Sequence, residues 1–254
     1  MLEVKFAIGQ NIHETAEASG APRWGIRNIA GLVSYDLLGL PPDIPVFYRR
    51  PGYEIKVMPI YSFTMYADKD HSNNLAVEAV TLLFDTDAYK THASAKAYIE
   101  SIISQFEKGK WTRRLNNWCP AVTGRSAFLN EAGEPDTSSM CPLDPTYQLS
   151  SEDWILLMYM GRSYQWLGDG VLASLEVRYS DDIRGITYSV ELSFDDLAAK
   201  TRQEEINQLR DLAEGDANGF KSTENYEKAF ADNKLKMKLL EGNAIKRGDT
   251  VIQR

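Results

Sequence analysis

Two stretches of the chain alternate apolar and polar residues with the period of a β-strand. In the first, Tyr53, Ile55 and Val57 alternate with Glu54 and Lys56; beyond Pro59, Tyr61, Phe63 and Met65 alternate with Ser62 and Thr64. Successive side chains of a strand point to opposite faces, so each run predicts a half-buried strand. "ADKDHSNN" (67–74) reads as a turn-rich connector, and "LAVEAVTLLF" (75–84) as a mostly apolar strand. The period then changes. Ala95, Tyr98, Ile99, Ile102, Ile103 and Phe106 recur every three or four positions, which predicts an amphipathic helix over 92–108. Thr91 is its N-cap and Gly109 its stop.

The second stretch has a similar order. "EDWILLMYMGRSYQW" (152–166) reads as a long strand, and "GDG" (168–170) as hairpin chemistry. Val171, Ala173, Leu175, Val177 and Tyr179 alternate with Ser174, Glu176 and Arg178. After the turn "SDDIRG", Ile186, Tyr188, Val190, Leu192 and Phe194 alternate with Thr187, Ser189 and Glu191. A helix is predicted from Ser193, with Asp196 three residues on as in a capping box, running through Leu197, Ile206, Leu209 and Leu212 toward Gly215. A last helix over about 223–240 would pack through Tyr226, Phe230, Leu235 and Leu239, leaving "GNAIKRGDTVIQR" as a loose tail.

Strand, strand, strand, helix thus occurs over 53–109 and again over 152–215. The expected fold class is α+β: two similar units, each an antiparallel sheet covered by a helix, plus a C-terminal helix. The expected organisation is an irregular segment over 1–50, a first unit over 51–115, a connecting loop over 116–150 and a second unit with the C-terminal helix over 151–254.

The connecting loop, "NNWCPAVTGRSAFLNEAGEPDTSSMCPLDP", holds the only two cysteines, Cys119 and Cys141. They lie 22 positions apart, too far for C-x-x-C redox chemistry, and two cysteines are too few for a zinc site. Of His13, His71 and His92, none is near in sequence. A disulfide closing a flexible loop fits the pattern, against the alternative of two unrelated reduced thiols. A disulfide implies an oxidising compartment such as the periplasm.

Charge and composition exclude more than they select. The 254-residue chain carries a formal net charge of −8, which argues against duplex nucleic acid or anionic lipid as main partner. No apolar run reaches the roughly 18 residues of a membrane span, and "MLEVKFAIGQNIHETAEASG" has no apolar core of a signal peptide. No Walker A, G-x-G-x-x-G or G-x-S-x-G sequence occurs, "HETAE" (13–17) has Glu17 where a zincin has its second histidine, and "EGDANG" (214–219) lacks EF-hand spacing. No catalytic residue, metal ligand or cofactor is assigned. The remaining candidates are large side chains beside turns. Tyr164 and Trp166 precede "GDG", and Arg125 sits inside the cysteine loop. Trp111 reads better as a cap on the core. Aromatic residues and arginine are the favoured anchors of protein interfaces, so Tyr164, Trp166 and Arg125 are the expected partner-binding residues.

The segments "RPGYEIKVMPIYSFTMYAD", "NLAVEAVTLLFD" and "SAKAYIESIISQFEKGKWTRR" resemble periplasmic lipoproteins encoded beside type VI secretion effectors, among them immunity proteins against lipase effectors. The resemblance covers residues 50–115, with a looser echo over 152–215, and rests on scaffold residues, so no contact residue carries over. It implies a non-enzymatic protein that binds a secreted toxin, a lipase among the candidates, and occludes its active site. The family's lipobox cysteine has no counterpart here, so membrane contact is expected only through a lipid anchor lost with a leader. Two other functions stay open from the residues: a small-molecule or envelope-assembly module using a cleft between the units, and a hydrolase whose site is assembled only in three dimensions.

Overall fold

Strands from both halves of the chain join in one sheet. The structure, a computed structural model, describes residues 3–21, 23–71, 74–85, 89–183 and 185–253. The large sheet is built from β2 (Gly25–Ile29), β3 (Leu32–Leu38), β6 (Ile60–Asp68), β7 (Ala79–Phe84), β8 (Thr112–Arg113), β9 (Arg162–Gly168), β10 (Val171–Asp182) and β11 (Gly185–Asp196). Its order is β2-β3-β6-β7-β11-β10-β9-β8, with every neighbouring pair antiparallel. A second, three-stranded sheet joins β1 (Val4–Phe6), β4 (Val46–Tyr48) and β5 (Ile55–Val57) in the order β1-β4-β5.

The helices are α1 (Ile12–Ala18), α2 (His92–Lys108), α3 (Ser151–Met160), α4 (Leu197–Ala217) and α5 (Ser222–Arg247). The alternation read from the sequence fixes the core face of the large sheet. Phe63 and Met65 of β6, Val80 and Leu82 of β7, Leu175 and Val177 of β10, and Val190 and Leu192 of β11 are all buried. The small sheet and α2 close over them. Phe6 and Tyr48 meet Phe194 at ring separations of 5.3 and 4.6 Å, and Phe106 of α2 stacks on Trp166 at 4.0 Å. Trp111 is buried in the same cluster, against Phe106 and Tyr53. At Gly168 the backbone passes so close to Tyr53 and Trp111 that a Cβ would come within 2.6 and 2.7 Å of them.

Several expectations are corrected. The halves do not form separate sheets, because β7 pairs with β11 from Ala79↔Asp195 to Leu83↔Glu191, and β5 belongs to the small sheet. Nor do the two helices match: α2 buries Ala95, Ile99, Ile102, Ile103 and Phe106, whereas α4 has no buried residue. The run expected as one strand over 152–166 is α3 followed by β9. Ser150 accepts from the Asp153 backbone N–H at 3.0 Å, an N-cap, and Gly161 ends the helix at φ 84°. The run is apolar on nearly every side, so its period was ambiguous. Helix α4 begins at Leu197 and not Ser193, because β11 continues to Asp196, whose carboxylate caps the Ala199 N–H at 2.9 Å. The described residues of 1–50, expected to be irregular, hold β1, α1, β2, β3 and β4. Helix α5 extends to Arg247 and packs through Met237, Leu240 and Ala244; Leu235 and Leu239 are exposed. The tail is tied down, with Val251 bridged to Val122 and the Ile252 N–H donated to the Ala121 carbonyl at 2.7 Å.

Candidate functional site

Tyr164 and Trp166 are not surface anchors. Period two places them on one face of β9, as expected, but that face is the core: each is 2% exposed, and Trp166 lies flat on Phe106. Burial raises the Tyr164 hydroxyl well above its ordinary range, with Glu100 and Asp144 adding to it. Arg125 is half-exposed on a 3-10 turn over Gly124–Phe128. Its guanidinium donates to both Asp153 oxygens, at 2.9 and 3.1 Å, in the bidentate geometry that arginine favours with carboxylates. It therefore ties the cysteine loop to the first turn of α3, with two of its five N–H donors engaged there.

Cys119 and Cys141 are joined, with Cα atoms 5.6 Å apart. Around that bond the loop is held by further polar contacts. Asp136 accepts from the Ser138 and Ser139 N–H groups at 3.0 and 3.1 Å. Arg162, buried at the start of β9, donates to the carbonyls of Asp136 and Ser139. Asp144, also buried, accepts from the Gly124 N–H at 2.7 Å and lies 3.6 Å from Arg113. On the loop's far side, Trp118 packs edge-on against Tyr226 and Phe230 of α5, at 5.7 and 5.2 Å. The result is a fixed loop with Met140 held in solvent, 88% exposed beside the bonded Cys141.

Met140 faces an apolar end of the molecule. Trp154, Leu157 and Met158 turn α3 toward the core, which leaves Ile155, Leu156, Tyr159 and Met160 on its outer side. Tyr159, 56% exposed, rests against Tyr179 at 5.6 Å. A shallow cavity of about 410 Å³ is lined by Glu152, Ile155, Leu156, Tyr159 and Tyr179. Met140 and Met160 together border a second cavity, of about 290 Å³. Large apolar side chains exposed side by side, as on the outer side of α3, are a usual mark of an interaction site.

The second cavity opens onto the outer face of the large sheet, which is polar. One cross-strand row runs Gln165, Ser174, Ser193, Thr81, Thr64, Asp36 through successive paired positions. In the next row Glu176 stands directly opposite Glu191. A third cavity, about 310 Å³, lies over these rows beneath α4, bordered by Arg114, Ser174, Asp195 and Lys200 among others. Glu176 and Glu191 line both cavities, so the two form one trough. Burial, Glu176 and Asp195 together hold the Glu191 carboxyl above its ordinary range, partly offset by Lys200.

None of Ser174, Glu176, Glu191, Met140, Tyr159 or Leu156 was singled out from the sequence. A signal for the glutamates existed: once Asp182 pairs with Gly185 at the hairpin end, counting back puts Glu176 opposite Glu191. The histidines have other partners. His92 bonds the Tyr188 hydroxyl at 2.7 Å, with Trp154 donating to the same oxygen at 2.9 Å, and His71 meets Glu78 at 3.2 Å. His13 contacts the Tyr35 hydroxyl. Among the described residues no helix is long and apolar enough to cross a membrane. The chain matches no protein-family model, no curated protein and no solved structure.

Proposed function

We propose that the chain is a non-enzymatic binding protein of an oxidising compartment, the periplasm in the reading the resemblance implies, and that it neutralises a secreted toxin, a lipase of the type VI kind, by covering its active site. The observation that carries this reading is the apolar end of the molecule: the outer side of α3 with Met140 of the bonded loop beside it. A loop fixed by a disulfide, by Arg162 and by Asp136 loses little further entropy on docking, so its contacts turn into affinity efficiently. Tyr159, Leu156 and Met140 replace Tyr164 and Trp166 as the proposed anchors, and Arg125 supports them from behind by fixing the loop to α3. Native attachment to the membrane would come from a lipid anchor upstream.

The test is the product of the neighbouring gene, purified and assayed as a lipase in the presence of this protein. Stoichiometric complex formation with loss of lipase activity is expected. Tyr159→Asp and Met140→Asp, both at exposed positions, should keep the parent's melting temperature and weaken the complex by about thirtyfold or more each, the scale of an interface hot spot. Absence of both a complex and inhibition would sink the reading.

A further inference from the structure

We propose that the trough on the outer face of the large sheet is a binding site for a primary ammonium group, held by Glu176, Glu191 and the Ser174 hydroxyl. The site adjoins the apolar end, whose Met140 and Met160 border one of its cavities, but it does not depend on the toxin reading.

Three observations converge. The first is the cross-strand pair. Glu176 and Glu191 are direct neighbours in the antiparallel register, which brings their Cβ atoms to about 5 Å. Like charges at directly opposed positions destabilise a sheet, yet both carboxylates, Glu176 exposed and Glu191 half-buried, face the same half-open trough. Among the described residues neither makes an ion pair. The second is Ser174, two residues from Glu176 on the same face. It is 6% exposed, and its Oγ is buried without a protein partner. A buried hydroxyl left unmatched is costly, and here it lines the same trough as the two carboxylates. The third is the space itself, two adjoining cavities of about 290 and 310 Å³ that share the glutamates.

The chemistry of the acceptors selects the ligand. An ammonium has three N–H donors, and three separate side chains here offer oxygen. Among the described residues no group of three or more His, Cys, Asp or Glu side chains is placed to hold a metal ion. The other charged groups facing the trough are Asp195, Glu204, Lys200, Arg114, Arg178 and Arg162. Lys200 is engaged by Asp195 at 2.7 Å, Arg114 bonds the Gln165 side chain at 3.4 Å, and Arg162 is turned to the carbonyls of the cysteine loop. Arg178 is the built-in competitor, two residues along β10 from Glu176. Because the site works through carboxylates, binding weakens as acid protonates Glu191, whose raised pKa brings this on earlier than for an ordinary glutamate.

Cadaverine, a diamine resembling the end of a lysine side chain, is the probe, followed by calorimetry and by amide chemical shifts. Saturable binding is expected, with shifts centred on Ser174, Glu176 and Glu191. Tetramethylammonium has the same charge per nitrogen but no N–H donors, and it should not compete. Glu191→Gln and Ser174→Ala, each checked for a cooperative melting transition no lower than the parent's, should weaken cadaverine binding at least tenfold. Nα-acetyl-lysine methylamide separates the sources: tighter binding than cadaverine assigns the ammonium to a protein side chain, weaker binding to a free amine, and either keeps the site. The proposal is overturned if neither amine saturates, if tetramethylammonium competes equally, or if both folded variants bind like the parent.

Discussion

At Gly168 the backbone has no room for a side chain. A Cβ there would press on the rings of Tyr53 and Trp111, both packed into the aromatic core, and neither ring can withdraw without disturbing its neighbours. Gly168→Ala should therefore destabilise by about 1–3 kcal/mol, the usual cost of overpacking, seen as a lower denaturation midpoint at unchanged slope. Glu191 carries the opposite sign. Its folded-state pKa is raised by burial and by Glu176, so the fold disfavours its charge. Glu191→Gln should stabilise at neutral pH by a few tenths to about 1 kcal/mol. The sign over pH follows: a raised carboxyl pKa contributes stability below the unfolded value and loses it as pH rises through the folded one. The advantage of the glutamine variant should thus shrink as pH falls, and a gap constant between neutral and acidic pH would refute the account. At this scale the sequence was only half legible. Alternation put Tyr164 and Trp166 on one face but could not say that the face was the core, because the hairpin beyond offered solvent and sheet equally.

Among the elements, legibility followed period and burial. The runs that became β10 and β11 could be read because one face is apolar and the other polar. The run that became α3 could not, since apolar residues lie on its inner side, at Trp154 and Leu157, and on its outer side, at Ile155, Leu156 and Tyr159. The outer residues are those proposed to meet the partner, so the same feature that hid the helix marks the candidate surface. Helix α4 shows a different limit. Its apolar residues, Ile206 and Leu209 among them, have helical spacing but are exposed, and nothing of the helix is buried. Local opening of such an element is cheap. Amide exchange in the middle of α4 should be faster than in the middle of α2 by a factor of ten or more; equal protection would show that α4 is packed. The cysteine loop combines both kinds of support. Replacing Cys119 and Cys141 by serine should cost about 3 kcal/mol from loop closure alone, and the loss should be accompanied by faster exchange over 136–141, although Arg162 still reaches the carbonyls of that segment.

For the molecule as a whole, the α+β class and antiparallel pairing could be read from local periods, whereas the union of both halves in one sheet could not. Leu82 and Leu192 are partners across 110 positions, and no local pattern encodes a pairing of that reach. The same distance bears on assembly. The β10–β11 hairpin closes locally over twelve pairs, while the β7–β11 seam must wait for a long loop to close. Tracing folding by pulse-labelled exchange should find β10 and β11 protected before β6 and β7; simultaneous protection would contradict this order.

The bond between Cys119 and Cys141 has one more consequence, because it spans the exposed turn at Glu131 and Ala132. A protease that nicks the chain there would leave two pieces that are still one molecule, joined covalently by the disulfide and through the sheet by the β7–β11 and β8–β9 pairs. Such a nicked protein should migrate as a single species until thiol is added, and keep most of its melting temperature until then. Reduction would leave the pieces held by non-covalent contacts alone, so their separation in reducing buffer would measure how well one piece can complement the other.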